Sequence, residues 1–272
     1  MPLRIDFFLT AETDSALPPF TGEYVREWFI QLIKHADLRL FTNLFFISNP
    51  RPYAIRPLRP LREKMRIING HWIIWEGDKL SFSISVLRDD VNDNIIEIMR
   101  NVQLINFDTL DCRVDNIKII SIKYERIPSE ISRRIYLIFR TPTLFNIRGR
   151  VFPFLYPDPI RVISNLSRIW NSFVPPYLRI NREYIINWAS RSISVKSYKL
   201  MTREVKIKGV KLTGFKGRVE WLVLNEEMMN DLARLIYFAE FSNVGEKRTY
   251  GLGVLSVVHW SNFNRLISLF EI

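Results

Sequence analysis

The sequence predicts an α+β protein made of two tandem ferredoxin-like domains, each with the element order βαββαβ. Strand-like and helix-like segments follow one another in that order twice along the chain. A length of 272 residues suits two domains of ordinary size, and an apolar content of 47% supplies a buried core for each. We place the boundary so that residues 1–127 form the N-terminal domain and residues 128–272 the C-terminal domain.

The N-terminal half contains one complete set of these elements. Apolar and polar residues alternate from Leu3 to Leu9, which predicts a first strand. Thr21 is a candidate N-cap of a helix that ends near His35, because apolar residues recur at helical spacing between them. The prolines between Asn49 and Pro60 oppose a helix there. The residue pattern predicts the remaining elements: a hairpin of strands at 71–75 and 80–87, a helix at 91–102 capped by Asp89 or Asp90, and a strand at 110–124.

The C-terminal half repeats the order with insertions. Four glycine-bounded residues, Gly214-Phe-Lys-Gly217, are predicted to turn the chain between two strands. Alternation predicts that the charges of Lys206 and Lys208 lie on one face of a strand. The predicted elements are strands at 133–140, 193–199, 204–212, 218–224 and 252–259, and helices at 160–173, 181–189 and 226–241.

Composition narrows the function classes. A formal net charge of +11 favours a polyanionic partner, either nucleic acid or an acidic membrane surface, although a basic surface can also serve solubility alone. The membrane alternative is weaker because no basic amphipathic helix is found. One cysteine, Cys112, excludes a disulfide framework and a zinc site built on several cysteines. No apolar run reaches about 18 residues, so we expect a cytoplasmic protein without a transmembrane helix.

A glycine-rich segment at residues 243–254 lies between the last predicted helix and the last predicted strand. Its glycines permit positive φ angles and close backbone approach, and its cations and backbone N–H groups suit a phosphate-bearing ligand. A tight turn with solvated charges is the alternative. It is not a nucleotide-binding P-loop, because no Gly-Lys-Ser/Thr follows and the order is helix–loop–strand.

The stretch Gly245-Glu-Lys-Arg-Thr-Tyr-Gly-Leu-Gly253 resembles the glycine-rich loop of the repeat-associated RNA-binding (RAMP) superfamily. Within it, the chain looks most like the CRISPR-associated endoribonuclease (Cas family six) that cuts the repeat transcript into guide RNAs. Gly214-Phe-Lys-Gly217 and Phe20-Thr-Gly-Glu-Tyr-Val-Arg26 support this resemblance, although only the glycine-rich loop is specific. The implied partner is CRISPR repeat RNA, single-stranded or weakly structured; a homodimer or an effector complex is permitted.

The resemblance implies a metal-independent reaction without a cofactor. In that family the 2′-hydroxyl beside the scissile phosphate attacks it, which leaves a 2′,3′-cyclic phosphate and a 5′-hydroxyl. The reaction needs a base for the hydroxyl proton, an acid for the leaving oxygen and cations for the developing charge. A non-catalytic RNA-binding subunit of an effector complex is the alternative, since such subunits carry similar loops.

The catalytic candidates lie near the first helix. His35 ends that helix, whereas the family's histidine usually falls later, near the positions of Phe45 and Phe46 here. Either His35 reaches the site from a shifted position, or the protein works without histidine. His71 and His259 are expected to be structural. The cations that could act with His35 or in its place are Lys34, Arg39, Arg51 and Lys64.

The candidate RNA-binding residues come from two places. Backbone-neutralising cations and stacking aromatics are what an unpaired RNA strand requires. A solubilised sheet face is the alternative for the cations outside the loop. The candidates are Gly245, Lys247, Arg248, Thr249, Tyr250, Gly251 and Gly253 in the loop, and Lys206, Lys208, Lys216 and Arg218 before it.

Overall fold

A computed structural model describes residues 1–47, 49–62, 64–147, 149 and 151–258 of the chain. These residues form two compact units. Unit 1 comprises residues 1–123, 206–210 and 247–252, and unit 2 comprises residues 124–205, 211–246 and the described residues from 253 onward. The domain boundary between residues 127 and 128 stays a prediction.

Unit 1 is built on an antiparallel sheet of five strands with helices packed on it. A short π-helical turn, Asn43–Ile47, follows its second helix. Its elements are β1 (Leu3–Ala11), β2 (Ser15–Leu17), α1 (Gly22–Ala36), α2 (Leu38–Thr42), β3 (Tyr53–Pro60), β4 (Arg66–Ile68), β5 (His71–Ile74), β6 (Lys79–Val86), α3 (Asn92–Arg100), β7 (Leu104–Phe107) and β8 (Leu110–Ser121).

The large sheet of unit 1 has the order β3-β6-β1-β8-β7. Without the edge strand β7, this is the ferredoxin-like arrangement, in which the first and third strands are central. The predicted hairpin at residues 71–87 is wrong, because its two strands join different sheets. Both edges of β6 are occupied, by β1 and by β3, so β5 pairs instead with β2 and β4 in a small three-stranded sheet.

The proline- and arginine-rich segment after α2 forms the strand that pairs with β6. The predicted hairpin assigns that position to the strand at residues 71–75. The proline- and arginine-rich segment forms β3 at the edge of the sheet, with a register shift between Arg56 and Arg59. An edge strand tolerates Pro57 and Pro60, because proline lacks only the N–H group that a central strand needs for its second neighbour. The composition that argues against a helix is therefore compatible with this strand.

Helix α1 has the predicted apolar face, with Val25, Phe29 and Ile33 fully buried. The N-cap position predicted for α1 is confirmed, whereas the cap predicted for α3 is wrong. Thr21 is the N-cap residue of α1, but its buried hydroxyl donates to the carbonyl of Leu58 at 3.0 Å instead of capping the helix. Val91 stands at the N-cap of α3, and the carboxylate of the predicted cap Asp90 pairs instead with the guanidinium of Arg88.

Unit 2 repeats the arrangement with a four-stranded sheet in the order β10-β11-β9-β12. Counted within this unit, the first and third strands are again central, so the predicted fold class of two ferredoxin-like units is confirmed. The elements are β9 (Arg134–Thr143), α4 (Pro159–Phe173), α5 (Arg182–Ser192), β10 (Ile193–Ile207), β11 (Val210–Val223), α6 (Met229–Ser242) and β12 (Leu255–Val258). His259 lies outside the described residues.

The predicted turn at Gly214–Gly217 is wrong, because the chain continues there as β11. The turn lies at Lys208 and Gly209, with φ angles of 48° and 79°. Two consecutive positive φ angles are typical of a two-residue hairpin turn, whose twist matches the flanking strands. Lys208 is consequently a turn residue and does not share a strand face with Lys206. The glycine at 217 serves close packing instead, since a Cβ there would lie 2.1 Å from the carbonyl oxygen of Lys199.

No helix among the described residues combines the length and the apolar character needed to cross a bilayer.

Candidate functional site

The end of α1 carries the first two catalytic candidates. Burial of the apolar face leaves Lys34 and His35 exposed in the last helical turn. The helix ends because the next residue, Asp37, leaves the helical conformation. Its carboxylate accepts the backbone N–H groups of Arg39 and Leu40 and so begins α2. A rigid helix end thus presents an imidazole and an ammonium group to solvent.

The imidazole of His35 is oriented by its own helix. Its Nδ1 atom lies 2.6 Å from the carbonyl oxygen of Gln31. A carbonyl oxygen can only accept, so Nδ1 must carry a proton. In the neutral ring the other nitrogen, Nε2, then holds the free lone pair. This is the tautomer that a general base needs.

Aromatic residues of unit 1 occupy the positions near which the family resemblance predicts a histidine. Phe45 is buried, with its ring centroid 5.4 Å from that of Phe29 and 5.0 Å from that of Tyr53. Phe46 is 65% exposed. Arg39, on α2 before them, is exposed. No titratable group stands at either of these aromatic positions.

Two further catalytic candidates follow in the chain. Arg51 precedes β3 and is half-buried; its Nη1 atom is buried without a hydrogen-bond partner among the described residues. Its backbone carbonyl accepts a hydrogen bond of 3.1 Å from Nη2 of Arg248. Lys64, between β3 and β4, is exposed. The backbone of Arg51 is therefore anchored to Arg248, whereas Lys64 is a solvated cation.

Part of the glycine-rich loop, Lys247–Leu252, belongs to unit 1. The loop packs so closely that glycine is required both in α1, at Gly22, and in the loop itself, at Gly251. A Cβ on Gly22 of α1 would lie 1.8 Å from the carbonyl oxygen of Tyr250. A Cβ on Gly251 would lie 2.5 Å from the ring of Pro57 in β3. This part of the loop is thus packed tightly on α1 and β3, with Gly251 in the left-handed region at a φ of 85°.

The side chains of the loop form a polar cluster with α1 and β3. The guanidinium of Arg26 lies 4.5 Å from the ring centroid of Tyr250, a cation–π contact. Burial raises the pKa of Tyr53, and the charge of Arg26 together with hydrogen bonds from Arg26 and Thr249 opposes part of that shift. Tyr53 is 1% exposed, so its hydroxyl is satisfied inside the protein.

Arg248 and Lys247 differ sharply in exposure although they are neighbours. Arg248 is 6% exposed, and its guanidinium donates to Arg51 as described above. Lys247 is exposed and has a left-handed φ of 54°. Of the two loop cations, only Lys247 is placed to meet a ligand without rearrangement. Arg248 stabilises the loop on unit 1.

The remaining loop residues belong to unit 2. The backbone N–H of Gly245 donates to the side chain of Asn165 on α4 at 2.9 Å. A Cβ on Gly253 would lie 1.7 Å from the carbonyl oxygen of Val244. Both glycines are buried and have positive φ angles. Their role in the structure is close packing, and the N–H of Gly245 is already used by a protein acceptor.

The other predicted RNA-binding cations lie at different places on β10 and β11. Lys206 is exposed near the end of β10. Lys208, at the hairpin turn, is exposed, and its backbone N–H donates to the carboxylate of Glu23 at 2.9 Å. Lys216 is exposed and Arg218 is half-buried on β11. They do not form one continuous strip on a single strand.

Two residues of the loop cluster, Arg26 and Tyr53, were not among the predicted site residues. Arg26 ends the stretch Phe20–Arg26 that carries part of the family resemblance, and Tyr53 stands among the cations after α1. Both signals are present in the sequence. What the sequence lacks is the pairing of either residue with a loop about 200 residues away.

The model of the family described as CRISPR-associated endoribonuclease Cas6 matches residues 137–255. The resemblance to Cas6 is thereby confirmed. The match includes the glycine-rich loop and most of unit 2. It supports RNA cleavage as the class of activity. No curated protein sequence matches the chain significantly.

Solved Cas6 structures share the fold over nearly the whole chain. A product complex of TTHB231, a Cas6 of Thermus thermophilus, has a TM-score of 0.75 at 19% identity and covers 95% of this chain and 99% of that chain. A Cas6-related protein from Pyrococcus furiosus has a TM-score of 0.67 at 14% identity, covering 96% and 100%. A RAMP protein that binds different RNA substrates has a TM-score of 0.61 at 16% identity, covering 94% and 100%. At these identities the similarity establishes the fold.

Proposed function

We propose that this protein is a metal-independent endoribonuclease that binds CRISPR repeat RNA and cleaves the precursor transcript into guide RNAs. The observation that carries the proposal is the match of residues 137–255 to the Cas6 endoribonuclease family. The solved relatives include a product complex and a RAMP protein that binds different RNA substrates, which supports RNA as the partner. We further propose that this RNA is single-stranded or weakly structured. Assembly as a homodimer or within an effector complex is compatible with this activity.

His35 is the proposed base. Its Nε2 atom takes the proton of the 2′-hydroxyl, because hydrogen bonding of Nδ1 to Gln31 leaves the lone pair on Nε2. The 2′-oxygen then forms a bond to phosphorus while the bond from phosphorus to the 5′-oxygen breaks. The leaving oxygen receives a proton from the imidazolium or from water. The products are a 2′,3′-cyclic phosphate and a 5′-hydroxyl end, so atoms and protons balance.

Cations near α1 are proposed to stabilise the negative charge that develops on the phosphate. Lys34 neighbours His35 on the same exposed helix end, and Arg39 lies on the next helix. Arg51 is the strongest of these candidates, because its buried Nη1 lacks a described partner and an anion would satisfy it. Lys64 is the weakest, since it is exposed and has no feature that orients it.

RNA binding is proposed to come from exposed cations and from the glycine-rich loop. Lys206, Lys208, Lys216 and Lys247 are exposed, as a contact to backbone phosphates requires. Thr249 and Tyr250 are half-buried at the loop surface. Gly245, Gly251 and Gly253 serve this site by shaping the loop, and Arg248 by holding it on unit 1.

A second candidate function is supported by the aromatic residues at the family's histidine position. Phe45 is buried in an aromatic cluster and cannot take part in proton transfer. A protein that has lost its histidine could retain RNA binding without cleavage. The second candidate is therefore a non-catalytic RNA-binding subunit of a CRISPR effector complex.

Incubation of the purified protein with labelled repeat RNA in excess EDTA separates the two candidates. Cleavage at one position within the repeat supports the endoribonuclease. The downstream product should accept a 5′-phosphate from polynucleotide kinase without prior phosphatase treatment. Tight binding without any product would instead identify the scaffold subunit, and absence of both binding and cleavage would reject the two candidates together.

A further inference from the structure

The pairing of β9 with β11 in unit 2 is interrupted at one point. Phe215 is paired with Thr143 and Gly217 with Phe139. Between these pairs, β11 contributes one residue, Lys216, whereas β9 contributes three, beginning with Arg140. Such irregularities bend a strand locally and redirect side chains. Arg140 and Lys216 both lie within this interruption, on neighbouring strands, and the charge of Arg140 acts on Lys216.

The start of β12 holds Arg140 in place. Its backbone N–H donates to the carbonyl of Val254 at 2.8 Å, and its Nε atom donates to the hydroxyl of Ser256 at 2.7 Å. The hydroxyl of Thr141 accepts the N–H of Val254 at 2.9 Å. A guanidinium fixed through its Nε atom has little remaining rotamer freedom, so less entropy is lost when it binds an anion.

Lys216 lies in a cationic environment. Its side chain is exposed, yet neighbouring protein atoms exclude part of its water and lower its pKa, and the charges of Arg203 and Arg140 lower it further. The nearest acidic residues along β10 and β11 are engaged elsewhere: Glu204 with Lys211 at 3.1 Å, and Glu220 with Lys196 at 3.6 Å. Within the described part of the chain, no carboxylate forms an ion pair with Arg203 or Lys216. An anion near Lys216 would offset the repulsion that its ammonium group experiences from these charges.

A cleft of about 280 Å³ lies further along the same three strands, β9, β10 and β11. Tyr198, Lys199 and Arg218 line it, together with Tyr136 and Glu220. Close packing of Gly217 against the carbonyl of Lys199 joins the cleft to the interrupted pairing. The ring of Tyr198 is 61% exposed. The cleft therefore offers an aromatic surface next to a group of cations, the combination that unpaired nucleotides require.

We propose that Arg140, Arg203 and Lys216 bind a backbone phosphate of single-stranded RNA, and that Tyr198 in the adjoining cleft stacks on a neighbouring base. This site rests on the proposed function, because RNA is its ligand. It lies in unit 2, whereas the proposed reacting groups lie on unit 1. It therefore contributes to affinity and leaves the chemical step unchanged.

The test is the affinity for a labelled oligouridine RNA, measured by fluorescence anisotropy at several salt concentrations. We expect Arg203→Ala and Lys216→Ala each to weaken binding roughly ten-fold or more, as loss of a charged hydrogen bond does. We also expect the slope of log affinity against log salt to fall by about 0.7, the value for one phosphate contact on a single strand. Lys216→Arg should keep the affinity, since it keeps the charge.

Lys211→Ala is the matched control, because Lys211 lies on the same strand but is paired with Glu204. It should bind as the unaltered protein does, within about two-fold. Equal affinities for Lys211→Ala, Arg203→Ala and Lys216→Ala would overturn the phosphate site.

The stacking contact in the cleft has its own test. Tyr198→Phe should retain the affinity for RNA and Tyr198→Ala should lose it. Equal binding of these two variants would overturn the stacking contact.

Cleavage of repeat RNA in EDTA by the unaltered protein tells the two possible failures apart. If this protein cleaves the RNA and the cation variants bind as tightly as the control, the phosphate site is wrong and the proposed function stands. If the unaltered protein neither binds nor cleaves, the proposed function fails and the site fails with it.

Discussion

The Nδ1 atom of His35 lies 2.6 Å from the carbonyl oxygen of Gln31, one helical turn earlier in α1. This contact fixes the ring orientation and leaves Nε2 as the basic nitrogen of the neutral imidazole. His71 on β5 makes a similar contact, with Nδ1 3.1 Å from the carbonyl oxygen of Asn69, and is also exposed. The two histidines thus share a tautomer and differ in location.

We expect His35→Ala to slow cleavage of repeat RNA by about 10²- to 10⁴-fold, the usual contribution of a general base. Affinity for the RNA should remain within about two-fold, because the change removes no fixed cation. Single-turnover cleavage rates and equilibrium binding measure the two effects. His71→Ala is the control and should cleave at the unaltered rate. Equal rates for both variants would assign the chemistry to Lys34, Arg39, Arg51 or Lys64 without histidine.

We expect Arg248 to contribute mainly to the stability of unit 1 and less to the affinity for RNA. Its guanidinium is 6% exposed and donates to the carbonyl of Arg51. Arg248→Met should lower the free energy of unfolding by roughly 2–3 kcal/mol, because a hydrogen bond from a charged group is lost and an acceptor is left unsatisfied. Urea denaturation measures this change. Lys247→Met, at the exposed neighbouring position, should change it by less than about 0.5 kcal/mol.

A contrary result would be equally informative. If Arg248→Met unfolds at the same urea concentration as the unaltered protein but binds RNA much more weakly, Arg248 is an RNA contact, as the resemblance of the glycine-rich loop implies.

Cys112 on β8 is fully buried. Burial first, and then the charges of Asp111 and Glu12, raise its thiol pKa from an ordinary 9.0 to about 12. We therefore expect no reaction with a disulfide reagent at pH 8 in the native protein and one thiol per chain after unfolding in urea. Stoichiometric labelling of the native protein would contradict this burial.

The same raised pKa has a consequence for stability above pH 9. The unfolded thiol ionises there while the folded thiol stays protonated, so stability is full below pH 9 and falls as the pH rises towards 12. The slope from this group is about 1.4 kcal/mol per pH unit. Other groups titrate in the same range, so the comparison is with Cys112→Ala, whose stability should fall less steeply.

Elements with strong local periodicity were predictable from the sequence. The face of α1 formed by Val25, Phe29 and Ile33 follows directly from helical spacing. Pairing partners were not predictable, because a strand's partner is set by contacts between distant residues. The segment after residue 70 looks like a hairpin locally, yet β6 pairs with β1 and β3 on its two edges and leaves β5 to another sheet.

The candidate site shows the same limit. The position of His35 at a helix end could be inferred from spacing alone. The contact between Arg26 and Tyr250 joins residues separated by most of the chain, and no local pattern predicts it. Glycines were similarly ambiguous. The sequence around Gly214 and Gly217 predicts a turn, although their lack of a side chain serves close packing of β11.

Gly209 and Gly253 have similar φ angles but differ in how closely other atoms pack against them. Comparing them distinguishes the cost of a positive φ angle from the cost of a steric clash. Gly209 in the hairpin turn has a φ of 79°, and an added Cβ would meet no atom within 4 Å. Gly253 has a φ of 70°, and an added Cβ would lie 1.7 Å from the carbonyl oxygen of Val244. Alanine at either position must adopt the left-handed conformation, at a cost of about 1 kcal/mol. Only at Gly253 must the neighbouring backbone also move.

We therefore expect Gly209→Ala to lower the free energy of unfolding by about 1 kcal/mol. Gly253→Ala should lower it by roughly 2 kcal/mol more, because the new Cβ would push the carbonyl of Val244 away. That movement would also strain the hydrogen bond of 2.9 Å from the N–H of Val244 to the carbonyl of Gly253. Urea denaturation of the two variants measures the difference. Equal destabilisation would mean that the loop adjusts around position 253. In that case the last glycine of the loop is required for its φ angle alone, and its backbone is free to move towards an RNA ligand.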